Sequence, residues 1–290
     1  MRHTGRMRTV VVTWRPVGAQ VLLRWAAERG DEVVLVETTK GRPSMRSDGW
    51  KSVVDLVPFG TTTVVAQRPA DVAHIVEDAA PDLVVSFSYP HLIDDRTIAA
   101  AAVAALNVHP GRLPEFRGPN PLWAVYLGEP SIDISVHRLA PGFDVGDVLA
   151  VTPVVINEAL SPRVLLDIFE THVPPTLNAA VERALAGESG DPQAEGTVNT
   201  RGLFTTADGD VSWDLTAREL LCRWTACEFG GVAITLPMGA GRATVTALSI
   251  VSHAATDQPP GTVLSRLGRD AIVAVRDGLV LAEFVEPSGA

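Results

Sequence analysis

Thr9-Val10-Val11-Val12-Thr13-Trp14-Arg15-Pro16-Val17-Gly18 is the stretch that decides the fold class. Its unbroken β-branched start reads as a strand buried on both faces, as strands of parallel sheets are. A helical pattern follows from about Val17 to Arg29, with Val21, Leu22, Trp25 and Ala26 on one face, and Gly30 closes it as a C-cap. Glu32 to Val36 is a second strand. Strand, helix, strand in that order implies a parallel sheet with a right-handed crossover. The turn Trp14 to Gly18 has no GxGxxG, so the dinucleotide fingerprint is absent.

Outward from this unit the alternation continues. Thr38 to Trp50 reads as a polar loop with Lys40, Arg42, Arg46 and Lys51 on or beside it, either a solvated surface or an anion- or substrate-facing lid. Thr62 to Ala66 is a short strand, Pro69 to Ala79 a helix, and Asp82 to Phe87 a buried strand that leaves through Ser88-Tyr89-Pro90-His91. Ile93 to Ala104 is Ala-rich and expected to be helical. Then comes Leu106-Asn107-Val108-His109-Pro110-Gly111-Arg112-Leu113-Pro114-Glu115-Phe116-Arg117-Gly118. As a strand end, it points Asn107 and His109 to one face, at the sheet margin where open α/β sheets place their chemistry. Pro121 to Gly128 is a short helix. Ser131 to Leu139 alternates, with Ile132, Ile134 and Val136 opposite Asp133, Ser135 and His137. Ala140-Pro141-Gly142-Phe143-Asp144-Val145-Gly146-Asp147 is a tight loop, and Val148 to Ile156 a strand. Ser161 to Ala186 is helical, with a kink or break expected at Pro174-Pro175.

Gly187 to Arg201 is rich in Gly, Asp, Pro and Glu and reads as a linker. After it come a helix, Leu215 to Glu228, and five short strands: 232–236, 243–251, 262–264, 271–275 and 280–285. These suggest a small open barrel. The expected organisation is a catalytic domain over 1–188, a linker over 189–204 and a C-terminal domain over 205–290.

The chain has 290 residues, is 46% hydrophobic and carries a net charge of -10, which disfavours nucleic acid as the main partner. Cys222 and Cys227 fit no zinc or redox spacing, so free thiols are expected. The apolar run after the basic start is only Val10 to Val12, too short for a signal h-region or a membrane span. A cytoplasmic protein without a membrane partner is the expectation.

No GxSxG elbow is present, and no His/Cys/Asp cluster has metal spacing, so neither covalent nor metal catalysis is expected. Asn107, His109 and Asp144 offer a carboxamide, an imidazole and a carboxylate. That set suits acyl transfer by direct attack of an external amine. The Asn and His would stabilise an oxyanion, and the Asp would keep the imidazole protonated or take the amine's proton. Each residue also has a plainer reading: Asn107 as a turn former, His109 as a structural hydrogen-bonding residue, Asp144 as an Asx turn. His137 faces a pocket or makes a structural bond. His91 reads as solvent-facing, and Arg117 as a possible loop anchor through backbone carbonyls.

The run Asn107 to Gly118, with its Asn-x-His, Leu113-Pro114, Phe116 and Arg117-Gly118, resembles the signature of the 10-formyltetrahydrofolate-dependent formyltransferases. Asn120-Pro121, Trp123-Ala124, Gly128-Glu129, Val136-His137 and Asp144-x-Gly146-Asp147 follow in the family's order. Val211 to Leu220, Pro260 to Leu264 and Asp277-Gly278 resemble the C-terminal domain of methionyl-tRNA formyltransferase, so the resemblance spans nearly the whole chain. It implies a doubly wound, mostly parallel Rossmann-like sheet followed by a small β-rich, OB-like domain. It also implies 10-formyltetrahydrofolate as co-substrate, no metal, and Asn107, His109 and Asp144 as the catalytic residues. The pterin would lie near Phe87, Ser88, Tyr89 and Leu92 and the loop with Ala140, Gly142, Phe143 and Gly146, largely through backbone groups. The acceptor would lie near Arg112, Arg117, Asn120 and His137. Residues 201–290 hold seven arginines against ten carboxylates, a net of -3 and a poor match to tRNA. The expectation is therefore N-formylation of a small-molecule amine, such as an amino sugar or an amino-acid-derived amine. Methionyl-tRNA formylation, 10-formyltetrahydrofolate hydrolysis and folate binding without catalysis are the alternatives, and a homodimer is compatible with the sequence.

Overall fold

The computed structural model describes residues 6–39, 49–196, 198–199, 201–239 and 241–285. The loop cations Lys40, Arg42 and Arg46 lie outside the described residues, and the lid reading with them. The chain separates into two compact units. One runs through Pro121 and resumes over Asp133–Val154 and from Leu166 to residue 200; the other takes Leu122–Ile132, Val155–Leu165 and the chain from Arg201 on.

The first unit is built on β1 (Arg8–Thr13), β2 (Glu32–Thr39), β3 (Thr62–Ala66), β4 (Leu83–Phe87), β5 (Ala104–His109), β6 (Ser131–Arg138) and β7 (Val148–Val155). Their spatial order is β3-β2-β1-β4-β5-β6-β7. The first five strands pair in parallel, and β6 runs antiparallel to β5. The order reverses between β1 and β4, the switch point of a doubly wound sheet. The sequence explains the alternation of faces. Val10, Val12, Leu35 and Val84 meet Val76 of α3 (Ala73–Ala79) and the side of α4 (Asp95–Ala99). On the other face lie α1 (Pro16–Arg29) and α6 (Pro162–Leu185). They are joined by Trp25 Nε1 donating to Asn178 Oδ1 at 2.8 Å, and Phe87 packs edge-on against Phe169. Gly18 is required by contact: a Cβ there would lie 2.1 Å from Thr13 Oγ1 and 2.6 Å from the Phe87 carbonyl. The first turn of α1 thus lies directly on the carboxyl ends of β1 and β4. Gly30 ends α1 in the left-handed conformation, its N–H on Ala26 and Ala27 carbonyls.

Three expectations are corrected. The Ala-rich stretch from Ile93 to Ala104 is helical only over Asp95–Ala99. The amides of Ala102, Val103 and Ala104 bond to the carbonyls of Pro81 and Asp82 instead of to their own helix, so the chain turns straight into β5. Conversely, α6 runs unbroken through Pro174 and Pro175. Pro174 strips the Glu170 carbonyl of its helical donor, and Arg24 Nη2 supplies a replacement at 2.7 Å. A further helix, α2 (Gly49–Leu56), begins where a loop was expected.

The second unit holds α5 (Trp123–Tyr126), α7 (Ala217–Gly230) and an open antiparallel sheet. Its strands β8 (Ile234–Met238), β9 (Gly241–Ser252), β10 (Val263–Leu267), β11 (Asp270–Val275) and β12 (Gly278–Val285) lie in the order β10-β11-β12-β9-β8. Thr216 and Glu219 form a capping box that starts α7. Trp123 Nε1 donates to the Gly202 carbonyl at 2.7 Å and stacks edge-on against Phe204. No helix among the described residues is long and apolar enough to cross a membrane.

Candidate active site

Strand register assembles the site. In the antiparallel pair β5–β6, Asn107 lies opposite His137 and His109 opposite Ser135. Directly opposed residues share a face, so all four side chains project together. The loop after β6 then brings Asp144 onto them. That return is tight: Asp144 sits at φ 54° and Gly142 at φ 136°, and a Cβ on Gly146 would lie 1.9 Å from the Arg138 carbonyl. Glycine at 146 is therefore a steric requirement of the loop that carries the carboxylate.

Asp144 is enclosed by donors. Oδ1 accepts from Asn107 Nδ2 at 3.0 Å and lies 3.3 Å from His137 Nε2. Oδ2 accepts the Gly118 N–H at 2.9 Å and faces His109 Nδ1 at 3.4 Å. Burial pushes this carboxyl up, but His109, His137 and the Gly118 amide outweigh it and hold the group at about 2, an anion at neutral pH. His109 is 3% exposed. Burial lowers the basicity of its imidazole, against the opposing pull of Asp144. A carbonyl can only accept, so the 2.7 Å contact of His109 Nε2 with the Phe116 carbonyl assigns the proton to Nε2. The other ring nitrogen, Nδ1, faces the carboxylate. Asp144 thus favours the protonated ring and burial disfavours it.

His137 sits differently from a substrate contact. It is 2% exposed, donates from Nδ1 to the Arg138 carbonyl at 2.8 Å, and so offers Nε2 as acceptor to Asn107 Nδ2 at 3.1 Å. Both amide hydrogens of Asn107 are thereby engaged, one by Asp144 and one by His137. Ser135 Oγ donates to the Gly111 carbonyl at 2.9 Å, and Gly111 lies so close that a Cβ would come within 2.9 Å of His109 Nε2.

The remaining sequence-singled residues are dispersed. Phe87 is buried in the core and its carbonyl accepts from Thr13 Oγ1 at 2.7 Å. Ser88, at φ 57°, has its carbonyl bonded by the Trp14 amide. Tyr89 turns its hydroxyl to Glu37 of β2 at 2.7 Å, and His91 Nε2, instead of standing in solvent, lies 3.3 Å from Thr39 Oγ1. Leu92, Phe143 and Val145 are exposed, and Ala140 is half-buried. Arg112 pairs with Glu115 at 2.8 Å. Arg117 Nε donates to the side chain of Gln193, not to a carbonyl of its own loop. Asn120 has a buried Nδ2 without a hydrogen-bond partner among the described residues. Sequence reasoning passed over Glu37, Gly118 as an amide donor, and Gln193. A charged residue ending a β-branched run was the signal available for Glu37. Gln193 gave none within its polar stretch. Among the described residues no group of three or more His, Cys, Asp and Glu could hold a metal ion.

A mostly parallel sheet carrying Asn, His and Asp at this margin defines a class, and sequence comparison identifies it. The profile described as "Formyl transferase" matches residues 7–172, and the chain belongs to that family. It is 26% identical over 275 residues to methionyl-tRNA formyltransferase of Desulfotalea psychrophila, covering 89% of this chain and 82% of that one. HypX from Aquifex aeolicus, solved with tetrahydrofolic acid, superposes with a TM-score of 0.68 at 18% identity, covering 96% of this chain and 44% of HypX. This chain thus spans less than half of HypX. The N-formyltransferase from Helicobacter canadensis, solved with folinic acid and dTDP-3-aminofucose, gives a TM-score of 0.64 at 12% identity and covers 97% of this chain and 100% of that one. At these identities the two structures establish a shared fold.

Proposed function

We propose that this protein transfers the formyl group of 10-formyltetrahydrofolate directly to the amine of a small molecule. The observation that carries the reading is the convergence of Asp144 on His109 Nδ1 at 3.4 Å and Asn107 Nδ2 at 3.0 Å. In the reaction the amine nitrogen bonds to the formyl carbon, the C–N10 bond breaks with its electron pair going to N10, and one proton passes from the amine to N10. The His109–Asp144 pair takes that proton from the amine and returns it to N10, the carboxylate stabilising the imidazolium in between. Asn107 donates to the developing oxyanion by releasing His137 Nε2, while its bond to Asp144 keeps the amide in place. The exposed Leu92, Phe143 and Val145 and the backbone around Gly142 suit a flat, amide-bearing heterocycle such as a pterin.

The small-molecule acceptor is favoured by the -3 balance of residues 201–290 and by the amino-sugar ligand of a structural neighbour. The name of the curated relative supports methionyl-tRNA as the second reading. The deciding measurement is tetrahydrofolate release from 10-formyltetrahydrofolate, alone, with a panel of amines including nucleotide-linked amino sugars, and with charged initiator tRNA, the product mass read in parallel. Release that depends on a small amine, with one formyl group gained, is expected. Release only with tRNA, or without any acceptor, would overturn the acceptor assignment in favour of the tRNA enzyme or the hydrolase.

A further inference from the structure

The stretch after α6 is tied to the first unit along its course. Arg138 Nε and Nη2 donate to the Ser189 and Glu188 carbonyls. Asp191 exchanges two backbone bonds with Val148, at 2.8 and 2.9 Å, and the Asn199 amide donates to the Glu115 carbonyl at 2.6 Å. In its middle stands Gln193, half-buried. Its Nε2 donates to the Asp144 carbonyl at 2.8 Å and to the Gly146 carbonyl at 2.7 Å, while Arg117 Nε donates to its Oε1 at 2.8 Å. A primary amide has two hydrogens, and both are spent on the loop of the carboxylate. Its oxygen is spent on the loop whose Phe116 carbonyl holds His109 and whose Gly118 amide holds Asp144.

We infer that Gln193 is a positioning residue: its amide ties the loop carrying Asp144 to the loop that orients His109, and so sets the separation of carboxylate and imidazole. The inference rests on the formyl-transfer reading for its kinetic consequence, but not for its geometry. Two features make the tie necessary. Asp144 occupies the left-handed region, uncommon for a non-glycine residue although aspartate tolerates it better than most, so bonds to its backbone help to hold it there. The Gly118 amide holds the carboxylate itself. Gln193 holds the backbone on either side of it, which no side-chain contact of Asp144 does. The pattern needs a primary amide: Glu cannot donate to the two carbonyls, and Leu can neither donate nor accept.

The test compares Gln193→Ala and Gln193→Glu with wild type, using Asp191→Ala as a control. That control removes an exposed ion pair to Arg183 from the same segment. The first readout needs no substrate: NMR titration of Asp144 and the ring-nitrogen signals of His109. Asp144 is faced by His109, His137, Asn107 and the Gly118 amide. In Gln193→Ala its titration is expected to move up toward the ordinary carboxylate range, with a change at His109, while the thermal midpoint stays near that of Asp191→Ala. The second readout is kinetic: kcat for the amine that wild type accepts is expected to fall about 10- to 100-fold, with KM changed far less, because misplacement by about an ångström costs on that order. Gln193→Glu should lose as much, since it keeps the partner of Arg117 and loses both donors. Unchanged titrations in folded Gln193→Ala, or wild-type kcat in Gln193→Glu, would overturn the inference. A wild-type protein with no turnover on any acceptor would instead sink the proposed reaction, and the titrations would still decide the case of Gln193.

Discussion

Asp144 and Glu37 are two enclosed carboxyl groups of the same unit, one in the loop after β6 and one inside β2, and their protonation is driven in opposite directions. Asp144 is held down at about 2 and Glu37 is pushed up to about 7. Burial raises both. The difference lies in what surrounds the oxygens. Asp144 receives the Asn107 and Gly118 N–H groups and faces two imidazoles. Glu37 is 1% exposed, accepts one hydroxyl from Tyr89, and feels the like charge of Asp94. Partners, more than depth, decide whether a buried carboxyl is a base or an acid at neutral pH.

The sharpest way to break this contrast is to neutralise the anion. Asp144→Asn should reduce amine-dependent tetrahydrofolate release by about 10³-fold, within the range that positioned proton-transfer groups supply. A folded variant within tenfold of wild type would remove Asp144 from the chemistry. The same variant sharpens the electrostatics at His109. Burial, and to a lesser degree His137, lower the imidazole, while Asp144 and the Phe116 carbonyl raise it. Deleting the charge should therefore move the His109 midpoint further down, and NMR titration would show any upward movement that contradicts this.

At the other carboxyl the effect is on stability. The folded-state pKa of Glu37 lies above the unfolded value, so between about 4.5 and 7 the folded form binds more protons and stability falls as pH rises. Glu37→Gln keeps an acceptor for Tyr89 and removes the ionisation. It should stabilise the protein by about 2–3 kcal/mol at pH 8 and by little at pH 4.5, as read by denaturant unfolding at the two pH values. A variant no more stable than wild type at pH 8 would show that Glu37 ionises without penalty. Tyr89→Phe should give the smallest effect, a loss of about 1 kcal/mol at pH 8 that shrinks toward pH 5 as the carboxyl takes up its proton.

Much of the fold was legible because local periodicity and burial agreed. The valine run of β1, the apolar face of α1 and Gly30 behind it are each explained by a few neighbouring residues, and the structure places them as read. Where neighbours in space competed with neighbours in sequence, the reading failed. Ala102 to Ala104 have high helix propensity but give their amides to Pro81 and Asp82. Pro174 and Pro175 stay inside α6, where Arg24, 146 positions before Glu170 in the chain, caps its freed carbonyl. At the site, the pairing of Asn107 with His109 followed from the two-residue period of a strand.

The sequence by itself determined the parallel βαβ core, the β-rich character of the second unit, and the set of three polar residues the family's motif singles out, because these depend on contacts within a few residues or on a motif in fixed order. Tertiary structure alone decided the protonation of those residues and the parts of His137 and Gln193. His137 acts through cross-strand register with Asn107, and Gln193 through three bonds to residues 47 to 76 positions away. A titration state is set by every donor and charge around a group. Those donors come from β5, β6, two loops and a stretch that looked like a linker, and only the folded chain brings them together.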